Sequence, residues 1–515
     1  MPKEESKEFG GPIGVLALML WSHYILYYFF YCYQCNNGNM IIPGYSNNNT
    51  LYQEIFNFIN VFKQYCIPSI NVWIAYAFFF IMQLVLAAFV PGMLMYGVKI
   101  DKNGTRLPYL CNGYLCYYIF IYLLFTLHYN GIYKITDIVD YWGEYLTAAV
   151  VVGDVTSLLW YLYGLHTATP AEKAELSGNH IYDFFMGSIL YPRFGIVDIK
   201  MIAEARWSWL TLMLLTGACA VKQYEENGGY ITKEMGLMVL AHWLYSNATV
   251  KGEHCIPGTW DMFHEKFGWM LNFWNVAGVP YLYCFQSYYL YKNQSVKHVG
   301  NATISNSVPF MIFAYTLLLV AYYIFDSANL QKASFRLPGI ARKTFPQVPW
   351  GVLPHPVRVI NIPGGGVLII DGWYAFVRKA QYTGDILMAL SWGLATGLPL
   401  KALSIKAPYL NLLNYFYCLF FTCMIIHRQS RDEVRCGAKY GIYWDVYTKE
   451  VPNVFLPGPK FFKWLFSSDK TLPPFDVDKK IAELQRGRSP SISKSDPSKK
   501  SKSPKRSVTP KKRLE

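Results

Sequence analysis

Apolar runs of membrane-crossing length recur along most of the chain, divided by short polar, glycine- or proline-bearing stretches. Four lie in the first third: 11-GPIGVLALMLWSHYILYYFFYCY-33, 71-NVWIAYAFFFIMQLVLAAFVPG-92, 113-GYLCYYIFIYLLFTLHY-129 and 146-LTAAVVVGDVTSLLWYLYGL-165. Further runs follow near 207–222, 235–250, 269–291, 308–325, 383–400 and 408–426. Crossing the hydrocarbon takes about 20 apolar helical residues, and helices buried among others tolerate shorter or interrupted runs. The pattern predicts an all-α fold: a polytopic integral membrane helix bundle with about ten transmembrane helices. The first run is long and aromatic and lacks a small-residue cleavage site, so it is predicted to be a retained helix.

Composition supports this reading. The 515 residues are 53% hydrophobic and 17% aromatic, and only 16% are charged, against about 25% in soluble domains. The net charge of +14 is uneven: residues 486–515 hold eleven Lys or Arg against two acids. The chain therefore divides into a short cytosolic segment 1–10, a membrane domain 11–466, and a polar, basic tail 467–515 predicted to be disordered. The positive-inside rule places that tail in the cytosol, where it could meet anionic lipid head groups or simply remain solvated. Phosphorylation at Ser489-Pro490, Ser503-Pro504 or Thr509-Pro510 would weaken such attraction. No aromatic or folded reader accompanies the charge, so nucleic acid is not an expected partner. The eleven cysteines are mostly scattered inside the apolar runs with no regular disulfide spacing, and read as small core residues. Sequons at Asn48, Asn103, Asn247, Asn293 and Asn301 need a topology before they mean anything.

Charged positions concentrate in a few places. The stretch 178-GNHIYDFFMGSILYPRFGIVDIKMIAEARWSWL-210 mixes Asp183, Arg193, Asp198, Lys200, Glu204 and Arg206 with large hydrophobes, as either a surface helix or a cavity wall would. In 251-KGEHCIPGTWDMFHEKFGWM-270, Glu253, His254, Cys255, Asp261, His264 and Glu265 offer no HExxH or CxxC geometry, so a proton-handling role or a plain loop fits better than a metal. Lys332 and Arg336, four apart, share a helix face and could hold a phosphate or anchor a helix end. Gly364–Gly366 lack GxGxxG and GK[ST], and read as a turn. Tyr281, Tyr283, Tyr288 and Tyr289 interrupt an apolar run beside Pro280; a phenol there could donate a proton or cap a freed carbonyl. Finally, in 427-HRQSRDEVRCGAKYGIYWDVYTKEVP-452, helical spacing puts Arg428, Arg431 and Arg435 on one face and makes Arg428 to Asp432 an i, i+4 pair. Tyr440, Tyr443, Trp444 and Tyr447 follow. These residues suit either an anionic ligand with a flat ring or a membrane-interface belt.

Taken in order, these clusters resemble the sterol reductase family of integral membrane enzymes. The resemblance runs from about residue 90 to 458. It rests on 91-PGMLMYGVKIDKNGTRLPYLCNG-113, on 181-IYDFFMGSILYPRFGIVDIKMIAEAR-206, and on the terminal pattern HRxxRDxxxCxxKYGxxWxxYxxxVP at His427 to Pro452. Within the family, 222-KQYEENGGYIT-232, the 251–284 region, 342-RKTFPQVPW-350 and 371-DGWYAFVRK-379 look closest to the branch that reduces the C-24(28) double bond in ergosterol-type synthesis.

The resemblance implies joined cavities in the C-terminal half, about 180–458: one for NADPH from the cytosol and one for a sterol from the bilayer. The cofactor positions it implies are Lys332, Arg336, Ile369, Tyr374, Gln381, Tyr382, Arg428, Asp432, Cys436, Gly437, Ala438, Lys439, Tyr440 and Tyr447. Two departures stand out. The family's usual Trp is Tyr374, and its His-Pro-Asn before the shared Tyr is Lys379-Ala380-Gln381. An isolated alkene is too electron-rich to accept hydride directly, so it must first be protonated. Tyr283 is the expected donor, with Glu253, Asp261 and Glu265 as alternatives whose pKa a low-dielectric site would raise. No metal is expected. A Δ14- or Δ7-reductase is the alternative within the family, and a non-catalytic, lamin-B-receptor-like membrane protein the alternative outside catalysis. The family implies the endoplasmic reticulum membrane.

Overall fold

The computed structural model describes residues 8–44, 49–101, 103–167, 175–299, 305–336, 355–398, 412–469 and 471–488, with the single positions 169, 173 and 353. Helices of eight or more residues are labelled here in chain order. They are α1 Gly11–Cys35, α2 Leu51–Tyr65, α3 Ile70–Phe89, α4 Gly113–Tyr129, α5 Trp142–Thr167, α6 Thr211–Glu226, α7 Lys233–Lys251, α8 Phe285–Gln294, α9 Val308–Arg336, α10 Ala380–Ala395, α11 Phe416–Tyr440, α12 Ile442–Glu450, α13 Pro459–Phe466 and α14 Val477–Arg488. Three antiparallel two-stranded ribbons complete the described fold: β1 Met93–Lys99 with β2 Arg106–Cys111, β3 Arg193–Phe194 with β4 Val197–Asp198, and β5 Val359–Ile362 with β6 Gly366–Ile369.

Local chemistry explains the helix starts. Thr50 accepts from Gln53 N at 3.3 Å while the Gln53 side chain accepts from Thr50 N at 2.7 Å, closing a capping box on α2. Thr232 caps α7 through Met235 N at 3.2 Å, and Asp198 caps the turn Ile199–Ile202 through Met201 N at 3.1 Å.

Four described helices, α1 with its lead-in from Glu8, α3, α5 and α9, are long and apolar enough to cross a membrane, and α4 is a shorter apolar helix. The expected count of about ten is not reached on that criterion, for physical reasons visible in the remaining runs. The 207–222 run begins in a π-helical turn, Ala203–Leu210, before α6. The 269–291 run is broken into Trp269–Phe273, a π turn at Trp274–Gly278, Val279–Leu282 and α8. Helix α7 carries buried Glu234, His242 and Lys251, and α11 becomes charged in its second half. Polar groups inside a bundle need partners, not apolarity. Lys251 Nζ of α7 meets Asp326 of α9 at 2.7 Å. Asp154 of α5 accepts from Trp269 Nε1 at 2.7 Å and contacts His23 of α1 at 2.9 Å.

The bundle has two chemically distinct ends. At one, Arg431 near the end of α11 pairs with Glu8 before α1 at 2.8 Å. At the other, the Tyr33 hydroxyl donates to Asn414 just before α11 at 2.6 Å. Helices α1 and α11 thus run antiparallel; at 1.5 Å per residue, α1 alone covers about 37 Å. The core between them is strongly aromatic, with Trp142, Trp269, Trp392, Tyr281 and Tyr417 among its largest fully buried side chains.

The mixed stretch 178–210 is neither a surface helix nor bare cavity wall. Asp183 accepts from Ser177 N and Gly178 N, Arg193 pairs with Asp198, and Arg206 contacts Asn112 and Glu253. Order also extends past residue 467, where disorder was expected: Val477, Ile481 and Leu484 of α14 line one face that packs with Trp444 and Tyr447 of α12. Residues 489–515 lie outside the described residues, as do the 342–350 motif and the sequons at Asn48 and Asn301. All eleven cysteines are free, six of them buried.

Candidate functional site: a charged mouth joined to an aromatic chamber

Helices α9, α10 and α11 meet at the charged end. Helix α10 lies directly on the backbone of α9 because residue 384 is glycine: a Cβ there would stand 2.7 Å from Phe325 N and 2.8 Å from Ala321 O. The turn Gly372–Ala375 is stapled to α9 just before Lys332. Trp373 Nε1 donates to Ser327 Oγ at 2.8 Å, and the Tyr374 hydroxyl bonds to Ala328 O and Gln381 Oε1, both at 3.2 Å. Gly372 sits at φ +55 with Gln331 where a side chain would go, so only glycine fits. The entry to α10 is clamped in turn, because Arg378 N and Lys379 N donate to Asn453 O and Val454 O at 2.9 and 3.0 Å.

This framework brings most of the expected cofactor residues together. Lys332 and Arg336 of α9, Lys379, and Arg428 and Asp432 of α11 share one electrostatic neighbourhood. Arg336, Tyr382 and Tyr447 surround Tyr374. Burial alone would raise the Asp432 carboxyl, but the Lys379 ammonium bonded to it holds it below the usual carboxylate range. Cys436 Sγ adds a 3.6 Å contact to Asp432, and burial pushes that thiol up. Gly437 faces Trp444, while Ala438 and Lys439 are exposed on the last turn of α11. Ile369 stands half-buried on β6, and the β5–β6 turn, Gly364–Gly366, brings Gly366 against Tyr440. Lys332 and Arg336 have no carboxylate at ion-pair distance among the described residues. Two basic side chains without a carboxylate partner among the described residues fit an anionic group.

The arginine row of α11 is divided among separate partners. Arg428 reaches Asp261 at 3.6 Å, not Asp432; Arg431 reaches Glu8; and Arg435 contacts Asp432 at 3.2 Å and lies 4.3 Å from the Trp260 ring. The loop that supplies Trp260 and Asp261 is gripped by buried Lys200, whose ammonium donates to Asp261 O, Met262 O and Glu265 O at 2.7, 3.1 and 2.7 Å. Glu265 accepts from Trp260 Nε1 at 2.8 Å. Glu253 sits apart, accepting from Gly113 N at 2.6 Å and Arg206 at 3.3 Å; burial raises its carboxyl against the opposing Arg206.

Deeper between the helices lies a second neighbourhood. Tyr283 packs 4.4 Å from Tyr417, Tyr417 stacks 4.5 Å on Trp392, and His242 meets Trp392 edge-on at 4.4 Å. Trp209 packs 4.5 Å from Tyr245, whose phenol neighbours Asp385 and Tyr417. Four buried atoms here, Asp385 Oδ1, Tyr417 Oη, Trp392 Nε1 and His242 Nε2, make no hydrogen bond of good geometry. Such groups are costly unless something completes them. Sequence reasoning assigned no role to Tyr245, His242 or Asp385. One signal was available for Asp385, a carboxylate inside an apolar run. Gln381 and Asp385 are four residues apart on α10, so one helix face serves both neighbourhoods.

A bundle with cationic side chains gathered at one end, and deeper on the same helices a buried carboxyl packed among phenols and indoles, fits a membrane-embedded enzyme better than a simple anchor. The sequence model of the Ergosterol biosynthesis ERG4/ERG24 family matches residues 3–459, and the chain belongs to that family. It is 36% identical over 456 residues to the Delta(24(24(1)))-sterol reductase of Gibberella zeae, covering 87% of this chain and 72% of that protein. It is 34% identical over 458 residues to Delta(24(24(1)))-sterol reductase erg4A of Aspergillus fumigatus, covering 87% and 92%. The Delta(14)-sterol reductase of Dictyostelium discoideum is 31% identical over 454 residues, covering 88% and 92%. The chain is thus a membrane oxidoreductase of the sterol reductase kind.

Proposed function

We propose that this protein reduces the C-24(28) double bond of an ergosterol-type sterol intermediate with NADPH, in the endoplasmic reticulum membrane, with the charged end of the bundle in the cytosol. The specificity rests on the two Delta(24(24(1)))-sterol reductases at 36% and 34% identity. In this arrangement ten helical passes alternate between the two ends, including the broken runs 199–226 and 269–294. The observation that carries the chemistry is the shared face of α10, with Gln381 beside the cationic mouth and Asp385 inside the chamber.

Lys332 and Arg336 would hold the phosphates of NADPH, with Tyr374, Gln381, Tyr382, Asp432 and Tyr447 around the rest. NADPH supplies the hydride. The chain's own contribution is a proton and a place for positive charge. Asp385, backed by the Tyr245 phenol, is positioned to protonate the methylene carbon, with Tyr283 across the chamber as the other donor. Protonation there leaves a tertiary cation at C24, which the ring faces of Tyr283, Tyr417, Trp209 and Trp392 stabilise. Glu253, Asp261 and Glu265 hold structural or mouth positions instead.

The 31% identity to a Delta(14)-sterol reductase favours a second reading, reduction of a nuclear double bond by the same machinery. Incubating the purified full-length protein with NADPH and each sterol alkene separates the two by product mass and double-bond position. Saturation at C-24(28) is expected; turnover confined to C14 or C7 would replace the first reading with the second.

A further inference from the structure

A sterol carries its hydroxyl at the end of the ring system opposite the side chain, so a chamber that takes the side chain leaves the hydroxyl to be met elsewhere. This argument rests on the function proposed above. One polar cluster faces the hydrocarbon in the middle of the bundle. His23 is the central residue of the 25-residue α1, and Asp154 stands at the middle of the 26-residue α5. Each lies about 18 Å along its helix, which is the centre of a hydrocarbon layer about 30 Å thick. Their side chains are 32% and 39% exposed. Leu20, one turn before His23, and Val151 and Leu158, one turn either side of Asp154, are exposed around them. An ionisable pair on such a surface is costly, and by default marks a functional site. His23 Nδ1 lies 2.8 Å from Met19 O, which can only accept, so Nδ1 carries a hydrogen. A bond across the 2.9 Å between Nε2 and Asp154 Oδ2 needs one further proton, shared by ring and acid, so the pair is neutral overall. Asp154 Oδ1 accepts from Trp269 Nε1 at 2.7 Å, and each carboxyl oxygen can accept a second hydrogen.

From this cluster a row of rings leads to the chamber. His23 packs 4.8 Å from Phe273. The next residue, Trp274, stacks 5.5 Å on Phe420, and Phe420 lies 6.4 Å from Tyr283. Trp274 and Phe420 are half-buried, so part of the row faces lipid. Trp274 also opens the π turn Trp274–Gly278, a geometry that recurs at functional sites. We propose that His23 and Asp154 form the recognition point for the sterol hydroxyl. The hydroxyl donates to an Asp154 oxygen, while the apolar body of the sterol lies along Phe273, Trp274 and Phe420 with its side chain toward Tyr283. The pair selects a hydroxylated steroid over a plain hydrocarbon because no water stands at mid-bilayer to satisfy the carboxyl in its place.

The test crosses the enzyme with its substrate. Full-length wild type, the double variant His23→Leu with Asp154→Leu, and Asp154→Asn are each given a C-24(28)-unsaturated sterol and its 3-deoxy counterpart. Sterol binding is titrated without NADPH, and steady-state turnover is measured with it. Wild type should bind the hydroxylated sterol about tenfold or more tightly than the 3-deoxy compound, the worth of one hydrogen bond to a charged group. The double variant should bind both equally, with its NADPH KM within about twofold of wild type. Asp154→Asn still offers an oxygen to the Trp269 indole and should keep a reduced preference of about threefold, which keeps the test open if the double variant does not fold. A wild type indifferent to the hydroxyl would overturn the proposal. So would a full preference in either variant, or a change confined to oligomeric state, which would give the pair to a second copy of the chain. If the wild type binds with the expected preference but leaves the C-24(28) bond unreduced, the function proposed above has failed instead.

Discussion

The contact between α9 and α10 can be tested at a single atom. Adding a Cβ at Gly384 places it 2.7 Å from Phe325 N and 2.8 Å from Ala321 O, both backbone atoms that cannot rotate away. Ordinary contact begins at 3.4 Å, so α10 must retreat from α9 by about 0.7 Å. Overpacking of this kind costs about 1–3 kcal/mol. The retreat also carries Gln381 and Asp385 away from Lys332 and Arg336. A misplacement near 1 Å in a catalytic constellation can cost about a hundredfold, so Gly384→Ala should lose about ten- to a hundredfold in kcat/KM. The assay pairs thermal unfolding of the detergent-solubilised protein with NADPH-dependent sterol turnover. Gly217→Ala on α6 is the control, because its added Cβ meets nothing within 4 Å. It should keep full activity and gain up to about 1 kcal/mol of stability. A Gly384→Ala protein with wild-type melting and turnover would show that the two helices are not packed as described.

Three further outcomes follow from the site and the bundle. Lys332→Met and Arg336→Met should each weaken NADPH binding by about 10- to 150-fold, the worth of a charge-assisted contact of about 1.5–3 kcal/mol; a titration with unchanged affinity would remove these residues from the pocket. Asp385→Asn should cut sterol turnover by about 10²–10⁴ while NADPH binding persists, and Tyr283→Phe should cost far less if its ring face matters more than its hydroxyl. The reverse order in turnover assays would make Tyr283 the donor. Lys251→Met alone should destabilise by about 3–5 kcal/mol, because it strands buried Asp326, whereas Lys251→Met with Asp326→Leu should melt near the wild type. Equal melting of the single and double variants would contradict that pairing.

The sequence exposed the periodic, local features and concealed the pairings. Helix α11 and the turn at Gly364–Gly366 were readable because they depend on residues a few positions apart. The partners of the α11 arginines were not, since Asp261 and Glu8 lie far away in sequence and an i, i+4 rule pointed to Asp432 instead. Ten crossings could be counted as apolar runs, but only four described helices show the length and apolarity of a crossing. The others carry π turns, breaks and buried ions whose compensation is tertiary. The chamber was the least legible part. His242 and Tyr245 share α7 while Asp385 stands on α10, and apart from the carboxylate inside an apolar run, local sequence does not separate an unpartnered buried group from a satisfied one. Lys200 gives the opposite lesson: its three carbonyl partners make it a loop anchor, although its neighbours in sequence suggested a surface or a cavity wall.

The two reagents an alkene reduction consumes have opposite solubility problems, and the layout answers both from one end. On the proposed function, the dinucleotide cannot enter hydrocarbon, and Lys332 and Arg336, at the last turn of α9, are where its phosphates would be met. The proton must reach a buried carboxyl, Asp385, which lies on the same helix as Gln381. On the same proposal the sterol would arrive from lipid and need no polar route. Helix α10 joins the two supplies because Gln381 and Asp385 are one turn apart, about 6 Å along the axis. Hydride and proton must be delivered to adjacent carbons, and one helical turn is a separation the reacting atoms can bridge. A longer offset would require the sterol to move between the two additions, exposing the cation to whatever nucleophile arrived first.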